Sequence, residues 1–215
     1  MGRVMGNDAL TAARDSPGGP APRSVPRAVE ATVAIVALGC ILASVTFRMS
    51  DPDLWQHLAV GRAIWSLGHI PSHELWVWPT YGEPAVTPSW LFRAMLWPFW
   101  SLGGVGGLFA WRWIVTLATF ALLWRTARAA GARGLAVFPA LVLAGLTWRL
   151  RTMVRPETLV GVVLAAQLLV HVRVRSGQRA AAVALPALAL VWANAHVSYW
   201  MGLALQGLFL ADAWW

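Results

Sequence analysis

Two aspartates, Asp51 and Asp53, follow directly after the first long apolar stretch of the chain. A carboxylate at such a place can act as a general base towards an incoming hydroxyl or amine. Its oxygens can also hold a divalent cation. The simpler interpretation is helix capping, with Asp51 as the N-cap, Pro52 at the first helical position and Asp53 in the first turn. The residue types alone leave both interpretations open.

Three arginines, Arg149, Arg151 and Arg155, form a second candidate site between two later apolar stretches. Guanidinium groups bind phosphate oxygens through paired hydrogen bonds, so this cluster indicates a site for an anionic group. Glu157 follows the cluster closely. We expect Glu157 either to pair with Arg155 or to take part in catalysis.

The remaining polar candidates are His57, Asn194 and His196. His57 lies one helical turn after Asp53, so the two side chains could hydrogen-bond or share a metal ion. A histidine on the surface of the loop helix is the favoured interpretation. Asn194 and His196 interrupt a long apolar stretch, where polar groups are often functional. A bend that ends a helix explains them almost as well.

The composition restricts the class of protein that holds these residues. Of the 215 residues, 58% are apolar and 12% are charged, and the mean hydropathy is +0.59. Soluble domains carry about 25% charged residues. The composition therefore excludes a plain soluble enzyme and a disordered chain, and it favours an integral membrane protein. All 17 basic residues are arginines scattered between apolar runs, which argues against a nucleic-acid partner.

The apolar stretches predict an all-α, polytopic transmembrane helix bundle. A span takes about 20 residues, and the chain offers six stretches of roughly suitable length. They lie at about 29–48, 106–125, 134–149, 157–173, 180–194 and 197–213. Residues 1–27 are rich in Gly, Pro and Ala and predict a disordered cytoplasmic tail before a transmembrane domain over 28–215.

The arginines predict which turns stay in the cytoplasm. They cluster in the tail, in 125–133 and in 173–179, and basic residues favour the cytoplasmic side. The N-terminus is then cytoplasmic, the protein is a multi-pass protein of the cell (inner) membrane, and segment 49–105 is a long outer loop. The 149–155 arginines fall on the outside against this rule. Either the topology is wrong there or these arginines bind an anion.

The outer loop is expected to carry helices that lie on the membrane. The first runs from Pro52 to Leu67 and ends at Gly68. The second covers 89–102, with tryptophans as interfacial anchors, and the glycines of 103–107 turn the chain into the next span. If 89–102 crossed the membrane instead, every later turn would change sides.

At this point the chain resembles the GT-C class of membrane glycosyltransferases, which includes protein O-mannosyltransferases and aminoarabinose transferases. The similarity is one of order and pattern over about 30–213, and the chain would be a bacterial member of the class. It is carried by Asp51-Pro52-Asp53-Leu54-Trp55, Gly61, Gly68-His69-Ile70-Pro71, Trp111-Arg112, the 125–133 turn, Arg155-Pro156-Glu157 and Trp192-Ala193-Asn194-Ala195-His196-Val197-Ser198.

The resemblance implies transfer of a sugar from a polyprenyl-phosphate donor to an acceptor on the outer face, with inversion at the anomeric carbon. It implies that Asp53 or Asp51 is the catalytic base. The carrier phosphate would bind Arg149, Arg151 and Arg155. Members of the class are generally longer, so the end at Trp214-Trp215 leads us to expect a fragment.

Two other interpretations compete with an enzyme. The chain could be a non-catalytic polytopic membrane protein, such as half of a transporter or an assembly subunit. It could also be a truncated relic without activity. Transporters tend to contain internal repeats, and no clear repeat is visible in the sequence.

Overall fold

The fold is described from a computed structural model that covers residues 25–214. Over these residues the chain is all-helical, and its extended pairing is limited to one isolated bridge between His73 and Pro84. The predicted all-α class is confirmed. The predicted tail falls mainly on residues 1–24, which lie outside the described residues.

Seven α-helices and two short 3-10 helices follow one another along the described chain. The α-helices are α1 Arg27–Val45, α2 Leu54–Leu67, α3 Trp90–Ala129, α4 Val137–Trp148, α5 Glu157–Arg175, α6 Ala184–Ala195 and α7 Tyr199–Trp214. The 3-10 helices are Arg149–Thr152, after α4, and Arg179–Val183, before α6.

Helix α3 is a helical hairpin. Gly104 interrupts it with φ 52° and ψ −131°, a conformation that glycine adopts without a Cβ clash. The rings of Phe92 and Trp111 are 5.8 Å apart, whereas a straight helix would separate these positions by about 28 Å. The chain therefore folds back, and the turn predicted at 103–107 is confirmed. We call residues 90–103 α3a and residues 105–129 α3b.

The helices run alternately between two ends of the bundle. Glu30 at the start of α1 pairs with Arg128 at the end of α3b. Asp212 at the end of α7 pairs with Arg175 at the end of α5, at 3.0 Å. We call this the arginine end. We call the opposite end, which holds 46–53, 149–157 and 195–198, the loop end.

Three of the helices are long and apolar enough to cross a membrane, namely α1, α3 and α5. The other predicted spans correspond to α4, α6 and α7, which contain 12, 12 and 16 residues. At 1.5 Å per residue, α4 is about 18 Å long, shorter than the hydrocarbon core of a bilayer. Helix α4 continues into the 3-10 helix Arg149–Thr152 and α6 follows the 3-10 helix Arg179–Val183, so both helical stretches are longer than their α-helical parts. That these three stretches cross a membrane stays a prediction.

The main hydrophobic core lies at the loop end. It joins α2, both arms of α3 and the start of α5, and its members are Leu54, Leu58, Phe92, Leu96, Leu108, Trp111, Val115, Val154, Leu159 and Ala195. Helix α1 contributes little to it, and only 17% of its most apolar window is buried. The loop end is thus the tightly packed part of the molecule.

Helix α2 differs in detail from its prediction. It starts at Leu54 instead of Pro52, and Asp53 occupies the N-cap position without a side-chain capping bond. Asp51 Oδ1 nevertheless accepts the Asp53 N–H at 3.1 Å, which is the bond expected of a capping aspartate at position 51, and the same carboxylate also binds Arg155. The end is as predicted, with Gly68 in the left-handed region and its N–H bonded to the carbonyl of Ile64.

Candidate active site

Asp51 and Arg155 form a two-pronged ion pair at the loop end. Arg155 Nε donates to Asp51 Oδ2 at 2.6 Å, and Nη2 donates to Oδ1 at 2.9 Å. The Asp51 side chain is 1% exposed, whereas that of Arg155 is 42% exposed. Burial alone would raise the pKa of Asp51, but the hydrogen bonds from Arg155 and from the Asp53 N–H outweigh it and lower the pKa below its usual 3.8. This pair links the segment between α1 and α2 to the start of α5.

Asp53 is the accessible acid of the two. Its side chain is 58% exposed, and its Oδ2 is 3.8 Å from Arg155 Nη2. Asp51 has both oxygens bound to Arg155 and is nearly sealed. A base must be able to reach a proton on its substrate, so the geometry favours Asp53 over Asp51 for that role.

The three arginines of the second cluster lie together at the loop end, in different settings. Arg155 is held by Asp51. Arg149 is exposed, with its guanidinium carbon 5.6 Å from the centre of the Phe47 ring. Arg151 is also exposed, in the same 3-10 helix as Arg149. The cluster predicted for an anion is therefore split, because an aspartate already neutralises one of its members.

His57 is buried, so the expectation of a surface histidine is wrong. It is 7% exposed and its ring meets Phe92 edge to face at 5.2 Å. Burial and the positive charge of Arg93 lower its pKa below the usual 6.5, so the ring is neutral at pH 7. Within residues 25–214 its Nδ1 has no hydrogen-bond partner. Its link to Asp53 is through the backbone N–H only, at 3.0 Å.

Glu157 faces His196 instead of pairing with Arg155. Its Oε1 is 3.9 Å from His196 Nε2. On the other side of the ring, Nδ1 is 2.7 Å from Ser198 Oγ and accepts the Ser198 N–H at 3.1 Å. The expected pairing of Glu157 with Arg155 is replaced because Asp51 occupies that guanidinium. His196 thus connects the α6–α7 turn to the start of α5.

Asn194 joins the outer loop to the α6–α7 turn. Its Oδ1 accepts the indole N–H of Trp90 at 2.8 Å, and its own amide donates to the carbonyl of Leu190 at 2.8 Å. Helix α6 ends one residue later and His196 is extended. The helix-ending bend predicted at Asn194 is confirmed. The Asn194 side chain also binds Trp90, a contact that was not predicted.

The described residues do not assemble a metal site. Within residues 25–214, no group of three or more His, Cys, Asp or Glu side chains is placed to hold a metal ion. Both oxygens of Asp51 are bound to Arg155, and Asp53 Oδ2 lies 3.8 Å from the same guanidinium. A divalent cation would need more oxygen ligands than this. The side chains of Asp53, Arg149 and Arg151 are the groups of this site that a substrate can reach.

Sequence reasoning missed three residues of this end. Arg93 lies on α3a, is 9% exposed and has a buried Nε without a partner among the described residues. Trp90 and Ser198 hold Asn194 and His196. A signal existed for Arg93, since a lone charge within an apolar helix is costly and therefore informative. Trp90 and Ser198 carry no such signal. The partner of Trp90 is 104 residues away, and the contact of Ser198 with His196 depends on the turn that the chain forms there.

Comparison of the chain with protein-family models, with curated proteins and with solved structures finds no match to any of them.

Proposed function

We propose that the chain is a membrane glycosyltransferase of the GT-C type, which transfers a sugar from a polyprenyl-phosphate carrier to an acceptor on the outer face. The observation that carries the proposal is the Asp51–Arg155 pair. It joins two segments that are 104 residues apart. One segment carries the candidate base, and the other carries the arginines that are candidates for binding the carrier phosphate. The loop acids and the basic cluster thus meet at one end of the bundle.

Membrane insertion is part of the proposal. It is supported by the three long apolar helices and by large apolar side chains exposed on α1 and α3b. The alternation of helices also supports it, because the turns 125–133 and 173–179 meet at the arginine end while Asp53 lies at the other. The two basic turns favour a cytoplasmic arginine end. The loop end then lies outside, with Arg149, Arg151 and Arg155 as the exception that an anionic ligand would explain.

In the proposed reaction Asp53 acts as the general base. It takes the proton of an acceptor hydroxyl or amine as that atom attacks the anomeric carbon. The bond from this carbon to the phosphate oxygen breaks, and the electron pair leaves with the carrier phosphate. The positive charges of Arg149 and Arg151 favour the negative charge that builds up on the leaving group. Attack opposite the leaving group inverts the anomeric centre.

Replacement of the base tests the proposal. The full chain is expressed in membrane vesicles and supplied with polyprenyl-phosphate-linked hexoses, and released polyprenyl phosphate is measured with endogenous acceptors present. Asp53→Asn should lower the rate about 10²–10⁴-fold, the range for removing a positioned base. Glu83→Gln, which changes an exposed acid elsewhere in the loop, is the matched control and should keep the rate.

Equal rates for Asp53→Asn and the unchanged chain would remove the proposed base. The non-catalytic alternative would then be preferred, with the Asp51–Arg155 pair acting only as a clamp between loop and bundle.

A further inference from the structure

Three side chains at the loop end stand in the order hydroxyl, imidazole, carboxylate. Ser198 Oγ is 2.7 Å from His196 Nδ1, and His196 Nε2 is 3.9 Å from Glu157 Oε1. A serine hydroxyl beside a base, with a further group that orients the base from its other side, is the arrangement used in nucleophilic catalysis. The types and the order of the three groups therefore indicate a possible serine nucleophile.

The hydrogen bonds of His196 decide which ring nitrogen carries a hydrogen. The Ser198 backbone N–H donates to Nδ1 at 3.1 Å, so Nδ1 is an acceptor and carries no hydrogen. The Ser198 hydroxyl must then be the donor in its own contact with Nδ1. In the neutral ring the hydrogen is on Nε2, the nitrogen that faces Glu157. Nδ1 can thus take up the hydroxyl proton, and the carboxylate can stabilise the positive charge that the ring gains.

Glu157 is available for this role. Its Oε2 is buried and has no hydrogen-bond partner within residues 25–214. Arg155, the cation nearest to it in the chain, is already bound by Asp51. Hydrogen bonds of catalytic groups are often long before the substrate binds. A separation of 3.9 Å therefore suits a carboxylate that closes on the ring when the ring becomes positively charged.

A second serine–histidine contact provides a comparison within the molecule. Ser72 Oγ is 3.0 Å from His73 Nδ1 in the loop between α2 and α3a. Among the described residues no carboxylate forms an ion pair with His73. The contact of Ser72 with His73 is a local one, whereas the arrangement at Ser198 recruits its third member from another helix. The acid of α5 is thus what separates the two pairs.

The position of Ser198 suits a nucleophile. It is partly exposed and directly precedes α7, and its Oγ accepts the indole N–H of Trp192 at 3.2 Å, which helps to hold the hydroxyl in place. The first N–H groups of a helix lack partners within the helix and favour negative charge. In α7 they belong to Tyr199 and Trp200, the two residues after Ser198, and can support the oxyanion of an attacked carbonyl.

The neighbours of Ser198 in the chain are apolar. Val197, Tyr199 and Trp200 are all exposed. Exposed apolar side chains that adjoin one another are typical of a surface that binds an apolar molecule. At a serine nucleophile this favours a substrate whose acyl group is a hydrocarbon chain.

We propose that Ser198, His196 and Glu157 form a second catalytic site, which transfers the acyl group of a carboxylic ester with a hydrocarbon acyl chain. Ser198 is the nucleophile and His196 the general base and acid. Glu157 is a positioning residue that acts through His196. This activity goes beyond the proposed sugar transfer and does not depend on it.

The reaction has two halves. The Ser198 oxygen attacks the carbonyl carbon of the ester, and its proton moves to His196 Nδ1. The bond from that carbon to the alcohol oxygen breaks, the electron pair leaves with this oxygen, and Nδ1 gives it the proton. Water then attacks the acyl group on Ser198, its proton returns through Nδ1 to the serine oxygen, and a carboxylic acid leaves. An alcohol in place of water gives a new ester.

Covalent labelling of the full chain in dodecyl maltoside tests the nucleophile. A fluorophosphonate loses fluoride when an activated serine attacks its phosphorus, and mass spectrometry of the unchanged chain should find the adduct on Ser198. Ser198→Ala should remove the label. Ser72→Ala is the matched control and should keep it, because Ser72 contacts a histidine without the acid. No adduct, or an adduct only at other residues of the unchanged chain, would overturn the proposal whether or not the variants fold.

Hydrolysis of p-nitrophenyl octanoate tests the base and the acid. His196→Gln should lower kcat about 10²–10⁴-fold, the range for removing a positioned base. Glu157→Gln should lower kcat about tenfold or more with KM unchanged, because Glu157 orients His196 and does not touch the substrate. Ser72→Ala should keep both constants. Unchanged kcat in either His196→Gln or Glu157→Gln would overturn the three-membered site.

The acyl chain is tested by comparing the octanoate ester with the acetate ester. Trp200→Ala should lower kcat/KM for the octanoate about threefold or more and leave the acetate unchanged, because only the longer chain loses apolar contact. Trp214→Ala removes an exposed tryptophan at the other end of α7 and is the matched control. Equal effects of Trp200→Ala on the two esters would overturn the hydrocarbon acyl chain as the substrate class. The assay contains no sugar donor, so its outcome is independent of the proposed sugar transfer.

Discussion

The two ends of the bundle hold their charges in opposite ways. At the loop end the Asp51 side chain is 1% exposed and forms two bonds to Arg155. At the arginine end, Arg175 and Asp212 are 62% and 55% exposed in a single contact of 3.0 Å. A buried carboxylate that loses its partner is strongly destabilising, whereas an exposed pair contributes little. The arginine end also holds the pair of Glu30 and Arg128, whose side chains are 35% and 27% exposed, so the loop end depends more on its buried ion pair than the arginine end depends on its pairs.

The difference indicates which end is built for a defined geometry. The loop end combines the main hydrophobic core with hydrogen bonds. These bonds link Asp51 to the start of α5, and Trp90 to the α6–α7 turn. Accessible groups such as Asp53 are thereby placed on a rigid support, as a reactive site requires. The arginine end has basic turns that suit contact with a charged surface, where fixed geometry is unnecessary.

The largest expected effect is loss of the buried ion pair. Asp51→Asn removes the charge and places a buried NH2 group against a donor of Arg155, so one hydrogen bond is lost and a buried amide is left unsatisfied. We expect the free energy of unfolding to fall by about 3 kcal/mol. Urea unfolding in detergent measures it. A loss below about 0.5 kcal/mol would show that the two ends do not differ as described.

A similar loss is expected at a close helix contact of the same end. Gly61 on α2 packs so tightly on α3a that a Cβ would overlap the carbonyl of Arg93. Gly61→Ala should therefore destabilise the protein by about 2 kcal/mol through overpacking. Gly207→Ala on α7 is the matched control, because open space surrounds that position. It should gain up to about 1 kcal/mol from helix propensity, and equal effects of the two changes would argue against the close contact.

The pH dependence of stability sharpens the comparison further. The pKa of His57 is lowered by burial and by Arg93, while Asp51, Asp53 and Glu157 act in the opposite direction. The unfolded chain therefore takes up a proton below pH 6.5 that the folded chain resists, so stability falls as the pH drops below 6.5. Asp51 and Glu74, whose pKa values are also lowered, add their losses only below their usual values of 3.8 and 4.5. Between pH 4.5 and 6.5, the His57→Phe variant then separates the contribution of His57 from that of the other histidines.

Thermal unfolding as a function of pH measures this effect. His57→Phe should flatten the curve in that interval, because phenylalanine cannot take up a proton. A curve with the same slope in the variant and in the unchanged chain would assign the dependence to another group.

The smallest effect is expected at the arginine end. Asp212→Asn breaks the exposed pair with Arg175 and should change the free energy of unfolding by at most about 0.5 kcal/mol. Urea unfolding under the conditions used for Asp51→Asn gives the direct comparison. A loss as large as that of Asp51→Asn would mean that exposure does not separate the two ends.

Much of the helical framework follows from the sequence because its signals are local. The apolar runs, the stop at Gly68 and the turn at Gly104 depend on residues near each position, and the structure has all of them. Helix α4 lies within the predicted stretch 134–149 and ends one residue before it does, but the 3-10 helix that follows α4 was not predicted, since nothing in that stretch indicates it.

The candidate site was only partly predictable. The sequence pointed to Asp51 and Arg155 separately, but their contact spans 104 residues and depends on how α2 and α5 both pack on α3. His57 was expected at the surface because its neighbours on α2 do not show that Phe92 covers it. Pairings of this kind are decided by the fold and not by spacing, so Glu157 was assigned the wrong candidate partner for the same reason.

The proposed sugar transfer requires the two ends of the bundle to lie on opposite sides of a membrane. Single-cysteine labelling tests this arrangement directly. Cys40 is the only cysteine, so Cys40→Ala gives a background without thiols. Arg62→Cys marks the loop end and Arg133→Cys the arginine end, both at exposed positions. In intact cells a membrane-impermeant maleimide should label R62C, and it should label R133C only after permeabilisation. Labelling of both variants in intact cells would contradict the placement of the two ends on opposite sides of the membrane.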